Sequence, residues 1–353
     1  PNPHIIVMAS NDKEGRLAFD TSTVVRSRAA SYSDDFLLAV INSRFASWYL
    51  HRFVFNFSTR TMGFRDGFAD KLPIRQIDFT TPEAERERYV DALVSQCESA
   101  RGAGADPTDN AVLESLEKHL SADPERADVA HDLLAHLART MTQLKAERHS
   151  YNLTITDYVA EPTGGTGVDL RTLGARYQPA PSVTDSILAG TAQARDGLRV
   201  GALSAVRDGD VVTVRATARY KPDDEDARAG AEKDQWGFVE TEPVDVCTLH
   251  GCSDRAAGLV VHWLDALNNR GDGFAGYRDN ATQTISLLDR IHDARFPDPT
   301  DDSIAAALQP FLDNAAAAAE LDAHLTFTDA LIDRVVYRLY GLTDEKIAVL
   351  QGE

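Results

Sequence analysis

Several groups of residues in this 353-residue sequence have the types and spacing that chemistry uses. Cys247-x-x-His250-x-Cys252, with His262 downstream, offers the thiolates and imidazoles that zinc takes. A tetrahedral site needs four such ligands, and the spacing is not that of paired knuckles. Buried free cysteines beside a turn account for the same pattern. His131 and His136 stand five apart on a helical stretch, on faces poorly matched for one metal. Glu114-x-x-Glu117-Lys118 and Asp344-Glu345-Lys346 share the carboxylate–lysine make-up of nuclease sites, but both fall in helical surface contexts where solvated charge is ordinary. Gly164-Gly165-Thr166-Gly167 follows Pro162 rather than an apolar strand, so it reads as a hinge and not as a cradle for phosphate or cofactor. There is no Walker loop, no Asn-Pro-Pro-aromatic or Asp-Pro-Pro-aromatic tetrapeptide, and no Ser–His arrangement that marks a nucleophile. On this reading the chain holds no catalytic residue, no metal ligand and no cofactor of its own.

One window remains. From Arg44 to Arg75 there are six bases and two acids, and the bases interleave with aromatic, amide and hydroxyl side chains. Arg44, Arg52, Arg60, Arg65, Lys71 and Arg75 run among Phe55, Asn56, Phe57, Ser58, Thr59, Thr61 and Phe64. Arg grips phosphate as a fork and reads guanine bidentately, Asn reads adenine in the same way, and hydroxyls suit phosphates and base edges. A loop whose arginines pair with Asp66, Asp70 and the acidic remainder fits the composition equally well.

The remainder is acidic indeed. The net charge is −19, from 38 Asp and 17 Glu against 29 Arg and 7 Lys. That excess looks at first like evidence against a nucleic-acid partner, since phosphate binding needs bases. Asp-rich, Lys-poor composition also suits a proteome bathed in strong salt, where self-repulsion is screened, so the charge points to a halophile more than to a partner. The charge is uneven: residues 1–80 hold 10 bases and 8 acids, and residues 81–353 hold 26 and 47. Three cysteines make no disulfide scaffold and fit a reducing cytoplasm, and no apolar run is long enough to span a membrane. The opening Pro-Asn-Pro-His is no signal peptide and reads as a start inside a longer protein.

The elements around these residues follow from periodicity. Ile5–Met8 and Leu17–Val25 predict a hairpin around Asn11–Gly15. Ser33 caps a helix whose stripe runs through Phe36, Leu37, Val40, Ile41, Phe45, Trp48, Tyr49 and Phe53. Residues 56–70 read as a loop, and Thr81-Pro82-Glu83 as a helix start with a capping hydroxyl. Helices are expected to about Ala100, from about Asn110 to Leu120, and from Pro124 to about Arg148, where Leu133, Leu134, Leu137, Met141 and Leu144 form one stripe. Leu198–Val206 and Val211–Tyr220 alternate around Asp208-Gly209 as a hairpin, with another extended stretch at Trp236–Leu249. From Ser253 the chain reads as mostly helical, with an alanine-rich helix near Ala305–Ala319 and a last long helix near Phe327–Tyr340 that Gly341 ends. The fold expected is α+β: a small α/β recognition unit at 1–80, a helical spacer at 81–150, a β-rich middle at 151–252 and a helical C-terminal region at 253–353.

Leu37-Leu38-Ala39-Val40-Ile41-Asn42-Ser43-Arg44-Phe45 resembles the Asn-Ser helix of the TaqI-like C-terminal specificity domain, found in type IIG restriction–modification enzymes and related adenine-specific DNA methyltransferases. Pro3–Val7, the stretch Arg60-Thr61-Met62-Gly63-Phe64-Arg65 and the closing Leu72-Pro73-Ile74 sit where that domain has its start, its Gly/aromatic/basic stretch and its end. Ile332–Ile347, with Tyr340-Gly341-Leu342-Thr343, is similar to the tail of the same enzymes. The resemblance covers residues 1–80 and 327–350. The sequence departs from it at Lys346, where the family carries an acid, and at Arg60–Phe64, where a tighter Gly-Gly-aromatic run is common.

The resemblance implies a chain that selects a site on double-stranded DNA. The chemistry, methylation of adenine with S-adenosylmethionine, would belong to an upstream methyltransferase domain of the same protein, in some members with a nuclease. Under it, Arg44 and Arg52 touch phosphates, Asn56, Ser58, Arg60, Thr61 and Arg65 are candidates for base edges, and Lys71 anchors the backbone. The rival expectation is an interaction scaffold in a phage-defence complex.

Overall fold

Ser33 begins the first helix as expected: its hydroxyl accepts the Phe36 N–H at 3.0 Å, and Asp34 and Asp35 occupy the positive first turn. The computed structural model describes residues 7–12, 24–25, 31–54, 69–108, 111–163, 166–223, 226, 230–269 and 280–351. Within them the fold is α+β, 53% helix and 13% strand. Contacts divide the chain into two units, residues 1–150 with 318–353, and residues 151–317. The second is therefore inserted in the sequence of the first. Among the described residues no helix is long and apolar enough to cross a membrane.

The first unit contains α1 (Asp34–Asn42), α2 (Arg44–Tyr49), α3 (Glu83–Gly102), α4 (Ala111–Leu120) and α5 (Ala127–Ser150). The single stripe expected through Phe53 is broken at Ser43, whose extended backbone (ψ 153°) ends α1. The hairpin expected before Ser33 lies almost wholly outside the described residues, and Val7, Met8, Val24 and Val25 carry no strand. Residues 81–150, expected as a spacer, belong to the core: Leu93, Leu113, Leu116, Leu133 and Leu134 cluster with Phe36 and with Leu331, Val335 and Val336 of the chain's far end. Thr81 is no helix cap. Pro82 holds that position without a side-chain bond, and the Thr81 N–H and hydroxyl donate to the two oxygens of the fully buried Asp128, each at 2.8 Å. A buried carboxylate demands donors, and Asp128 outcompetes the helix end for them.

The second unit is built on an antiparallel sheet of β2 (Arg176–Pro179), β6 (Val244–His250), β4 (Val211–Tyr220) and β3 (Arg199–Asp208), with β5 (Val239–Glu240) also paired to β4. The β3–β4 hairpin turns at Gly209, whose φ of +59° a side chain would resist. On β4 Val212, Val214, Ala216 and Ala218 face the core, where α6 (Asp254–Asn269) contributes Leu259, Val260, Trp263 and Leu267. The register slips between Val200 and Leu203, and the Asn268 amide takes over the Leu203 N–H (2.8 Å) that the ladder drops. A two-stranded ribbon of β1 (Val168–Asp169) and β7 (Arg295–Phe296), and the short α7 (Leu287–His292), complete the unit.

The two C-terminal helices expected near 305–319 and 327–340 are one, α8 (Asp302–Leu339), with Pro310 inside it. No glycine or proline follows until Gly341, so nothing stops the helix. Gly341 then takes φ +63°; its N–H donates to Arg338 O and that of Leu342 to Tyr337 O, closing a Schellman motif before α9 (Asp344–Gln351). Leu308 and Phe311 of α8 belong to the inserted core, and Leu331 to Leu339 to the other.

Gly167, the end of the glycine run, is not an open hinge point. Its φ is +88°, and an added Cβ would stand 2.7 Å from Phe296 O and 2.8 Å from Pro162. Gly209 has the same handedness but open space around it. Gly209→Ala is expected to cost about 1 kcal/mol and Gly167→Ala at least twice that, from strain plus clash. Urea unfolding followed by tryptophan fluorescence measures both; equal losses would mean that the close approach at Gly167 costs nothing.

Candidate nucleic-acid interface

The Asn-Ser motif performs two structural tasks before any functional one. The Asn42 amide clasps the backbone of Ala9, accepting its N–H at 2.9 Å and donating to its carbonyl at 3.1 Å. Ser43 donates to Val40 O (2.6 Å) at the end of α1 and accepts the Ala46 N–H (3.3 Å) at the start of α2. The Ser47 hydroxyl takes the Val7 N–H at 3.2 Å. Asn42 and Ser47 thus hold the entering segment against both helices, while Ser43 joins them.

Arg44 is the first residue of α2. Its backbone N–H donates to Asp333 Oδ1 at 2.8 Å, and its Nε lies 3.3 Å from Oδ2 of the same carboxylate. The Arg44 side chain is 66% exposed, that of Asp333 only 10%. Burial pushes the Asp333 carboxyl up to about 6, against the pull of the Arg44 N–H and guanidinium, with Asp329 adding to the rise. The neighbouring Tyr337 hydroxyl is buried and has no hydrogen-bond partner among the described residues.

Past α2 the helix widens into a π-helical segment, Leu50–Val54. Such segments are uncommon and concentrate at functional sites. Leu50 is fully buried with Ile41, Ala46 and Leu72, and Val54 packs on the same cluster. The Arg52 guanidinium lies over the Trp48 ring, 5.5 Å from its centre. Phe53 is 64% exposed and rests against Trp48 and Tyr49, with ring centres 5.5 and 5.1 Å away. Lys71 is exposed at the end of a short turn, Ala69–Lys71, directly before the buried Leu72.

The structure thus brings Arg44, Arg52 and Lys71 into one region of the first unit. Asn56, Ser58, Arg60, Thr61 and Arg65 lie outside the described residues, between Val54 and Leu72, which share one apolar cluster. Trp48 and Phe53 belong to one apolar stripe, but Trp48 packs on the core while Phe53 is exposed. Periodicity alone marks both as apolar; only the exposure of Phe53 tells them apart. Arg75, counted in the basic window, is consumed by the scaffold. It grips both Glu125 oxygens at 2.8 Å and donates to Leu339 O at the end of α8, where a cation suits the dipole, while Tyr340 takes its N–H.

The other chemical candidates resolve as structure. Ser33, His131 and Asp132 resemble a triad in composition, but the Ser33 hydroxyl is the helix cap and its backbone N–H donates to His131 Nε2 at 3.2 Å. That leaves His131 Nδ1 as donor to Asp132 (2.7 Å), so the imidazole has no nitrogen left to act as a base. Burial opposes the Asp132 charge, yet bonds from His131 and Arg86 hold its carboxyl below its usual range. A cleft of about 280 Å³ beside this pair is lined by Glu87, Asp91, Asp132, His136 and Arg139. In the second unit, burial pushes the Cys247 thiol up to about 12 and raises that of Cys252. His250 bonds Gln178 and His262 packs edge-on against Phe311. Among the described residues no three His, Cys, Asp or Glu side chains gather as metal ligands.

The Asp333 arrangement sets a pH dependence. Its folded-state carboxyl titrates above an unfolded aspartate, so its favourable contribution is complete below about pH 4 and is lost as pH rises through about 6. Asp333→Asn keeps an acceptor for the Arg44 N–H and removes the titration. The stability of the variant relative to the parent chain is expected to rise by on the order of 2 kcal/mol between about pH 4 and pH 7. Urea titrations across that range measure it; a difference independent of pH would show that the carboxyl is not perturbed.

No protein-family model matches the chain, and comparison with curated proteins and with solved structures finds no similar protein.

Proposed function

We propose that this chain is the DNA-selecting part of a restriction–modification adenine methyltransferase, binding double-stranded DNA through the region around Arg44, Arg52 and Lys71. One observation carries the reading. The two stretches that resemble the specificity domain, nearly 290 residues apart, fold into a single unit and meet at Arg44 and Asp333. Phe45 and Tyr340 also meet there, their rings tilted at 44° with centres 4.6 Å apart. Their packing together supports reading the two stretches as one element. The region is basic within an acidic chain, and it sets Arg52 over the half-buried Trp48 ring beside the exposed Phe53, the make-up that nucleic-acid sites use.

S-adenosylmethionine belongs, on this reading, to an upstream methyltransferase domain of the parent enzyme. The glycine run here follows Pro162 rather than an apolar strand, and its last member, Gly167, lies close against Pro162 and the Phe296 carbonyl.

The test is duplex binding by the full chain. Arg44→Ala and Arg52→Ala, as phosphate contacts, are expected to weaken cognate and random duplexes alike. Arg60→Ala and Arg65→Ala are expected to weaken the cognate duplex more, by about 1–3 kcal/mol for a bidentate base contact. Fluorescence anisotropy measures each. Equal loss on both duplexes would reduce Arg60 and Arg65 to phosphate contacts. Stable capture of a protein partner without DNA retention would favour the scaffold role instead.

A further inference from the structure

Several arginines on the helices of the first unit are matched with acids: Arg86 with Asp132 at 2.7 Å, Arg139 with Asp35 at 3.1 Å and Arg148 with Asp322 at 2.8 Å. Arg88 and Arg126 have no such carboxylate among the described residues, although acids outnumber bases 55 to 36 in the chain. Both lie instead over the ring of Tyr89, their guanidinium carbons 5.6 and 5.0 Å from its centre. His119 tilts against the same ring, with centres 4.7 Å apart, and its Nδ1 is buried with no hydrogen-bond partner among the described residues. Stacking occupies the face of a guanidinium and leaves the N–H groups at its edge for an oxygen anion.

The frame under these groups is fixed. Arg88 and Tyr89 belong to α3, and the Arg126 N–H donates to His119 O at 3.0 Å, tying the loop after α4 to that helix's last turn. Nearby acids are engaged elsewhere: Glu125 by Arg75 and Asp128 by Thr81, each at 2.8 Å. The negative end of α4 suits the cation at Arg126, but Arg88 sits in the second turn of α3, near the positive end, where a cation gains nothing from the helix field. An external anion answers both. Guanidinium edges offer several planar donors, which match the oxygens of phosphate.

We infer that Arg88 and Arg126, seated on Tyr89 with His119 beside them, form an anion site for a phosphate group. Two sources supply that chemistry, the backbone of a bound duplex and a free phosphate. Glu125, next in the chain to Arg126, is gripped by Arg75, so the site adjoins the stretch that follows Lys71. It needs only a phosphate, whether or not the DNA reading above holds.

The experiment has two arms, both on the full chain. In the first, inorganic phosphate is expected to raise the thermal midpoint of the parent over chloride at matched ionic strength, and Arg88→Ala and Arg126→Ala lose most of that rise. The general stabilising effect of phosphate acts on every variant alike, so the difference reads the site. Tyr89→Phe keeps the seat and retains the rise, while Tyr89→Leu loses it. Midpoints in chloride report whether each variant folds. In the second arm, each arginine substitution is expected to weaken cognate and random duplexes alike, by about three- to ten-fold, and to lower the slope of log affinity against log salt by about one. Loss in the duplex arm identifies the backbone as the ligand, and loss in the phosphate arm alone identifies free phosphate. An unchanged phosphate response together with an unchanged salt slope in Arg88→Ala and Arg126→Ala overturns the inference and leaves duplex binding standing. A parent chain that binds no duplex overturns the DNA reading, and the phosphate arm alone then decides the site.

Discussion

The first unit is closed by one carboxylate. Asp333 comes from the chain's far end, after an insertion of 167 residues, and it accepts the first N–H of α2. The start of a helix has orphan donors and a positive field, and a buried anion answers both. Its charge is nonetheless unwelcome where it sits, as the upward shift of its carboxyl shows. The molecule tolerates this because the same group binds the Arg44 Nε, so backbone and side chain of one residue are fixed together. Asparagine supplies only one acceptor oxygen and no charge for the guanidinium. Around this contact the Phe45 ring packs tilted against Tyr340, and Arg75 reaches the last carbonyl turn of α8. Remove the tie, and the orientation of α2 and of the π-helical segment beyond it rests on apolar packing and the hydrogen bonds of Ser43 and Ser47.

Much of the fold was legible because local rules happened to agree with tertiary demand. Ser33, the β3–β4 hairpin and Gly341 each sit where a cap or a turn requires their chemistry. The misreadings share a cause. Thr81 has the right type for a cap, but a buried acid 47 residues away claims its donors. Ser43 breaks a stripe that hydrophobic periodicity alone treats as continuous, since apolar residues recur on both sides of it. The long α8 was split because its middle carries little apolar signal, although nothing there terminates a helix. In the candidate site the charges were visible in composition. Which of them the scaffold uses was not, because Arg75 and Arg44 find their acids 50 and 289 residues away.

The histidine–aspartate pair shows why residue types underdetermine chemistry. His131 is ringed by Phe36, Tyr32 and Phe79, and its two nitrogens meet a backbone N–H and a carboxylate. A general base needs one nitrogen open toward substrate. Here both are engaged, and the result is a rigid joint between α1 and α5.

The net charge of −19 constrains how the proposed interface would work. Most of the acid excess falls outside the window in sequence: residues 151–317 alone hold 26 acids and 15 bases. In dilute salt such a chain repels phosphate at long range, and in strong salt that repulsion is screened while counterion release also yields less affinity. Neither regime favours binding by charge alone. What survives both is contact at van der Waals range, where stacking and bidentate hydrogen bonds depend weakly on ionic strength. An acidic DNA-binding chain is thereby pushed toward arginine and exposed rings rather than a field of lysines. The window follows that pattern: it holds five arginines and one lysine, and Phe53 stands exposed among them.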